Sequence, residues 1–580
     1  MKNNQLDRRK FLRNSLLATG GMFIAPVIVS CSNDDQVVEP NQEVGEYTMK
    51  GFSYGVASFD PTPQSVIIWT RYDLAGEVVT WEIAKDIEFK EIVRQGVATA
   101  FGETDNTISI EVNDLEAKGK YFYRFYQKGR KEISVIGETI TLAAQGDSSS
   151  EVRLAVLSCS NYPAGLFNVY EAVAKSDVDV VIHLGDYIYE YGQGEYGTNA
   201  STTVLNRQPK PSHELVSLDD YRTRYKQYRS DEDLKLAHQK KPFICVWDDH
   251  EIANDTYKDG AENHQSDKEG AFEIRKASAI QAYSEYIPMK TGKGKPIYRA
   301  FEFGSVLSMY MLDTRVLARD KQLEYADYFT AEGMDVPRFT ADLSNPNRKL
   351  LGMEQMNWLA SQVNSSTAKW QVLGQQVLMS KMTLPLSLLL YVQRVMLEFS
   401  ATGTVRPETT QGLFVEAQRL IMIKERLKQN DPTLTQEEIM SVKAVAPYNL
   451  DAWDGYPVER EMLYKLFNNK QIITLAGDTH NAWYNTLTDQ DANVIGHEFA
   501  TSSVSSPGME EYLGIQDVSQ LKMVEQVFES LVDDLQYCDL SNRGYLYMNF
   551  TTSSIHSEWR YVSTISSKDY SISVKKQVTI

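Results

Sequence analysis

The sequence predicts an α/β core preceded by an N-terminal β-sandwich, and three observations carry that reading. Beyond Glu151, short β-branched or aromatic runs alternate with helical runs, as in sheets covered by helices. From Tyr47 to about Ala144 the runs are short, alternating and separated by turns, with little helical periodicity. At 580 residues the chain is long enough for two or more domains with large cores.

The first 31 residues read as an address. Asp7-Arg8-Arg9-Lys10-Phe11-Leu12 resembles a twin-arginine export signal, and Val29-Ser30-Cys31 looks like a lipoprotein cleavage site. The apolar run between them, Leu16 to Val29, is short for a membrane span. A lipidated Cys31 then tethers an exported protein to a membrane, in the periplasm or at the cell surface; a plain uncleaved anchor is the alternative. Residues 32–46, acidic and polar, form the linker.

Residues 47–145 hold strands at Ser65–Arg71, Val78–Ile83, Thr107–Val112, Tyr121–Gln127 and Glu138–Leu142, a β-sandwich of fibronectin type III character. The Ser- and Gly-containing stretch Gln145 to Ser150 closes it. Residues 151–575 make the second domain, with helices expected at Ala164–Lys175, Leu218–Ser230, Glu269–Tyr286, Met353–Ser365 and Pro457–Asn468. The long loop Gln193 to Ser212 is expected at the mouth of a site, or else as a surface excursion.

Five apolar runs break off into short polar clusters: Val152–Leu157, Val178–Leu184, Phe243–Trp247, Ser305–Leu312 and Gln471–Ala476. The clusters contain Cys159, Asp186 with Tyr189, Asp249 with His250 and Asn254, Asp313 with Arg315, and Asp478 with His480. Strands that are buried and then stop deliver their last side chains to one rim of a sheet, where α/β proteins bind ligands. Each residue also has a plainer reading. Asp186 after a glycine forms a turn or cap, Cys159 is a small buried hydrophobe, and Arg315 makes a structural salt bridge. Their joint occurrence favours a metal cluster.

The chemistry that suits such a set is hydrolysis of a phosphate ester by metal-activated water. Asp186 is the expected bridge between cations. Tyr189, three residues on, can reach the same ion, and a phenolate ligand at neutral pH favours a ferric ion. Cys159 as thiolate supports that ion. Asp249, Asn254 and Asp478 offer oxygens to a harder ion such as calcium or magnesium, and His480, two residues after Asp478, faces the same side of an extended segment. His250 is cast as general acid for the leaving group, and Arg315 as a bidentate phosphate ligand.

With these residues in place, the chain resembles the alkaline phosphatase D (PhoD) family of phosphodiesterases and phosphatases. The resemblance spans most of the chain. It rests on Ser158-Cys159-Ser160, Gly185-Asp186-Tyr187-Ile188-Tyr189-Glu190, Trp247-Asp248-Asp249-His250-Glu251, Leu312-Asp313-Thr314-Arg315, Gly374-Gln375-Gln376, Trp453-Asp454-Gly455-Tyr456-Pro457 and Ala476-Gly477-Asp478-Thr479-His480. More distantly the chain is similar to purple acid phosphatases and calcineurin-like phosphoesterases. The resemblance implies a calcineurin-like core of two sheets flanked by helices, one ferric and two calcium ions, and hydrolysis of phosphomonoesters and diesters without a covalent protein intermediate. It implies iron at Cys159, Asp186, Tyr189 and His480, and calcium at Asp186, Asn254 and Asp478 with Asp249 taking part. Two departures stand out: the chain ends in strand pattern over Tyr561 to Ile580 instead of a shielding helix, and Pro385 to Gln436 reads as two helices that either cover the site or lie at the periphery.

The formal net charge of -19 argues against an electrostatic grip on nucleic acid or anionic lipid, so the expected small phosphate-ester substrate is drawn in by local metal charge, not by the overall field; a monomer is expected. The 4 cysteines are too few for a disulfide scaffold, leaving Cys245 and Cys538 buried and unpaired. A zinc peptidase is disfavoured because Asn254 replaces the second histidine of a His-Glu-x-x-His helix. A serine hydrolase lacks its Gly-x-Ser-x-Gly elbow. The remaining alternative is a metal-stabilised surface-binding lipoprotein without catalysis.

Overall fold

The computed structural model describes residues 46–580 apart from 149–150, 293, 331–332, 403, 468–469, 514 and 516. The export motif, Cys31 and all of the linker but its last residue lie outside the described residues. The architecture is mixed α/β. A nine-stranded sheet runs in the order Ile572–Thr579, Ile555–Val562, Gly544–Phe550, Val152–Leu157, Val180–His183, Pro242–Cys245, Val56–Phe59, Val66–Arg71 and Thr107–Val112. A seven-stranded sheet runs Arg299–Phe303, Leu307–Met311, Trp370–Gly374, Ile472–Ala476, Val494–Ala500, Ala482–Thr488 and Leu535–Asp539.

Each sheet has a parallel centre, from Val152–Leu157 to Val56–Phe59 in the first and from Leu307–Met311 to Val494–Ala500 in the second. Parallel strands covered on both faces need apolar residues throughout, and Val180–His183 and Pro242–Cys245 are buried at every position. Leu154, Ile182 and Ile244 of the first sheet share one core with Met309, Val372 and Phe499 of the second. Helices Gly352–Ser365, Leu386–Thr402, Pro407–Lys428, Pro457–Leu466 and Val518–Leu531 bury Leu359, Leu388, Leu420, Leu463 and Leu521 in another core with Leu373 and Trp483. The two helices expected after Pro385 are present and pack on this second core. The chain ends in strand, as its alternating pattern indicated.

The N-terminal strands build two layers. Val78–Ala84, Ile92–Thr99, Lys120–Gln127, Glu132–Ile133 and Gly137–Ile140 form a separate small sheet. The facing layer is not separate: Val56–Phe59 pairs in parallel with Pro242–Cys245, so it continues the nine-stranded sheet. The period of two along a strand explains how one layer serves two cores. Ala57, Phe59, Ile67 and Trp69 enter the large core, while Val56, Val66 and Ile68 meet Val79, Ile83 and Phe125 in the sandwich. The change of sequence pattern near residue 145 thus marks where helices begin, not where hydrogen bonding ends. Cys245 and Cys538 are buried and unpaired, and among the described residues no helix is long and apolar enough to cross a membrane.

Trp559 joins the two large sheets. It is fully buried, and its indole nitrogen donates to Ala500 O at 2.9 Å. Trp559→Ala removes both the packing and the bond and is expected to cost about 3–5 kcal/mol, read as a lower urea midpoint. An unchanged midpoint would show that the sheets do not depend on this contact.

Candidate metal centre

The parallel strands of both sheets run out toward one rim, and backbone bonds stitch their terminal loops together. Ser160 N donates to Asp186 O at 2.9 Å, Gly477 N to Gln376 O at 2.7 Å, and Val504 N to Ser158 O at 3.0 Å. The buried Glu251 carboxylate accepts from Asp186 N at 3.0 Å and from Asp248 N at 2.6 Å, so one side chain fixes two ligand-bearing loops. Gly185 permits that approach. At φ +105° its missing Cβ would stand 2.8 Å from Trp247 C.

Five non-glycine residues of the rim share a left-handed backbone: Cys159 at φ 61°, Asp186 at 53°, Asp255 at 54°, Asp478 at 63° and His480 at 62°. Such conformations cost about 1–3 kcal/mol each and gather at functional sites. The segment Asp478 to His480 is therefore a turn, not the extended stretch expected from sequence. Both side chains still reach the rim.

Cys159, Asp186 and His480 offer ligand atoms within 4.8 Å of one another, all buried. The Tyr189 hydroxyl donates to Asp186 Oδ2 at 2.9 Å and lies 3.0 Å from His480 Nε2. Ser506 Oγ donates to Tyr189 Oη at 2.7 Å and contacts Cys159 O at 2.8 Å. The four residues expected to hold iron are thus brought together. Burial first, then the Asp186 carboxylate, push both the Cys159 thiol and the Tyr189 phenol well above their ordinary ranges.

A second group adjoins the first through Asp186, which also lies within 4.8 Å of ligand atoms of Asp249 and His250. Asp248, Asp249 and Asp478 form a third such set. Burial and neighbouring carboxylates push Asp248 and Asp478 well above the usual carboxylate range, against the pull of Arg315. For Asp249 the balance is reversed: Arg315 and His250 outweigh burial and hold it low.

Two expected roles need correction. The Asn254 amide is engaged away from the acidic groups named above, its Nδ2 donating to Glu262 Oε2 at 3.2 Å. The neighbouring Asp255 has its backbone N donating to Asp249 Oδ2 at 2.6 Å and its carboxyl raised by burial, Asp451 and Asp249. Arg315 is not presented to an open phosphate position. It is fully buried, and Nη1 donates to Asp451 Oδ1 at 2.7 Å, Nη2 to Asp478 Oδ1 at 2.6 Å, and Nε to Asp248 Oδ1. Four carboxylates crowd this spot, counting Asp249 at 3.7 Å, and the guanidinium lies among them, with Arg319 also paired to Asp451.

His250 stands in the second group, beside Asp186 and Asp249. Its Nδ1 lies 2.7 Å from Glu190 Oε2, and Glu190 is fully buried. Burial alone would lower the imidazole's pKa, but Glu190, Asp249 and Asp186 outweigh it and hold it well above its ordinary value. Sequence reasoning missed Asp255, Asp451, Glu190 as an orienting group and Glu251 as a loop clamp. Glu190 and Glu251 stood inside the quoted motifs and could have been found there; nothing local distinguishes Asp451.

The residues fit multivalent cations on their own chemistry. Asp186 Oδ1 and Asp248 Oδ2 are buried without a hydrogen-bond partner, and buried carboxylate oxygens are nearly always satisfied. A thiol, a phenol, an imidazole and a carboxylate on one side suit a borderline or ferric ion, and the aspartates on the other a hard ion. The exchange of Asn254 for Asp255 is open to test. Asp255→Ala is expected to weaken cation binding by at least about 10- to 100-fold, a loss seen even for groups that merely support a ligand, with Asn254→Ala unchanged; equilibrium dialysis with elemental analysis measures both. The opposite ranking would restore Asn254.

Comparisons with known proteins identify the family. The PhoD-like phosphatase family matches residues 154–559, and the PhoD-like phosphatase N-terminal domain matches residues 39–143. Alkaline phosphatase D of Bacillus subtilis (strain 168) is 33% identical over 531 residues, covering 87% of this chain and 77% of that protein. A solved structure described as "Structure of PhoD" aligns with a TM-score of 0.71 at 30% identity, covering 93% of this chain and 91% of that one. With the family matched across most of the chain and the strand-end residues converging as its motifs imply, this protein belongs to the PhoD-like phosphatase family.

Proposed function

We propose that the chain hydrolyses phosphomonoesters and phosphodiesters with water, using cations held at the strand-end cluster. The observation that carries this reading is the convergence of Cys159, Asp186 and His480 within 4.8 Å, with Asp186 shared by the neighbouring carboxylate group. Cys159, Asp186, Tyr189 and His480 would hold a ferric ion, and Asp186, Asp249, Asp255 and Asp478 two calcium ions. Bound there, such cations polarise water and neutralise phosphoryl oxygens.

The chain's own residues supply the rest. Asp186, whose backbone N is anchored by Glu251, keeps the two halves of the site at a fixed separation. Arg315, with Arg319 bound to the same Asp451, offsets part of the carboxylate charge and aligns Asp248, Asp451 and Asp478. His250 is held protonated and oriented by Glu190; because Nδ1 is committed to that carboxylate, the proton for a departing alkoxide comes from Nε2. No hydroxyl nucleophile is needed, consistent with direct attack by water. The rival of a non-catalytic binding lipoprotein gains no support.

The same reading makes the fold a calcineurin-like pair of facing sheets with a fibronectin type III-like sandwich in front. Export and tethering through Arg8-Arg9 and Cys31 rest on the sequence motif alone.

The tests are direct. The purified protein is expected to hydrolyse p-nitrophenyl phosphate and its bis ester, and to lose both activities on chelation. His250→Ala is expected to lower kcat by about 10²–10⁴-fold, and Asp186→Asn to abolish turnover. Near-normal turnover in Asp186→Asn would remove the bridge from the account. Tyr189→Phe is expected to lose a visible charge-transfer band; a colourless, fully active native enzyme would exclude iron.

A further inference from the structure

Tyr196 comes from the long loop between Gln193 and Ser212 and lies against His480, far away in sequence. Its hydroxyl donates to Pro507 O at 2.7 Å and stands 2.9 Å from His480 Nδ1. His480 Nδ1 is itself 2.6 Å from Pro507 O. These contacts assign the protons. A carbonyl oxygen only accepts, so Nδ1 carries hydrogen and shares it between Pro507 O and Tyr196 Oη, while the Tyr196 proton goes to Pro507 O. Nε2 is then the nitrogen with a free lone pair, and it faces Tyr189 Oη at 3.0 Å and Asp186 Oδ2 at 3.7 Å.

The carbonyl that accepts both bonds sits on the loop that also serves the other ligands. Its neighbour Ser506 bonds Tyr189 Oη and Cys159 O. Packing supports the same placement: the Tyr196 ring lies nearly parallel to His480, 6.0 Å between centroids and 21° between planes. We infer that Tyr196 is a positioning residue for the cation site: it fixes the tautomer and ring orientation of His480 and ties the Gln193–Ser212 loop to the Ser506–Pro507 loop. A partner on the non-ligating nitrogen is the usual way a histidine ligand is held. Here a lone backbone carbonyl would leave the ring free to rock about that bond, and the phenol closes the triangle. The inference rests on the proposed cation site.

Tyr196→Phe tests it, because the ring and its stacking survive while the hydroxyl is lost. Holoenzyme is challenged with graded EDTA, and residual iron and calcium are measured by elemental analysis. The variant is expected to release the ion at His480 at about 10- to 100-fold lower chelator concentration, with turnover recovering when that ion is resupplied in excess. The melting temperature of the chelated, cation-free variant is expected to equal that of chelated wild type, which a merely structural tyrosine would not give. If the variant holds its ions as tightly as wild type, or if the chelated variant melts lower with no change in ion retention, the inference is overturned while the proposed hydrolysis stands. If wild type itself retains no ion at all, the proposed cation site falls and takes the inference with it.

Discussion

Charge crowding in a buried place is the constraint on which the rest of this structure depends. Around one rim the chain gathers Asp186, Asp248, Asp249, Asp255, Asp451, Asp478, Glu190 and Glu251, with Arg315, Arg319, His250 and His480 among the basic groups that face them. Water cannot screen most of these groups, and a buried carboxylate without a partner either finds a cation or gives up its charge. The upward shifts of Asp248 and Asp478, and of the Cys159 thiol beside Asp186, express that conflict. Multivalent cations would resolve it, and they would also supply the water activation that phosphate-ester hydrolysis draws on.

The fold makes the crowding possible. Parallel strands share one polarity, so several of them can end at one rim within reach of one another, which antiparallel neighbours cannot do. Two such sheets packed face to face double the supply: Cys159, Asp186 and Asp249 follow strands of the nine-stranded sheet, while Arg315 and Asp478 follow strands of the seven-stranded one. Left-handed turns at five rim residues then aim short side chains inward. That strain is sustained by the clamps at Glu251 and Gln376 and by the core beneath, including strands contributed by the N-terminal layer.

Much of this was legible in the sequence, and the reasons are physical. Val152–Leu157 and Thr107–Val112 stand where their patterns put them, and Ile472–Ala476 within a residue, because a strand buried on both faces or alternating on one leaves a clear signature. Ligand types followed from what each polar cluster contained. What failed to show depends on geometry without a local pattern. The left-handed backbone at Asp255 has no signature in the residues around it. Arg315 is recognisable as a strand-end cation, but which oxygens it meets depends on Asp451, 136 residues away. The pairing of Val56–Phe59 with Pro242–Cys245 is likewise long-range, so an N-terminal layer that reads as its own sandwich joins the large sheet.

Anomalous diffraction from crystals of natively purified protein, collected across the iron edge and at a long wavelength sensitive to calcium, tests the central claim most directly. The expected result is an iron peak enclosed by Cys159, Asp186, Tyr189 and His480, with calcium peaks beside Asp249, Asp255 and Asp478. Crystals of active enzyme with no anomalous scatterer at this rim, or with one bound elsewhere, would contradict the account.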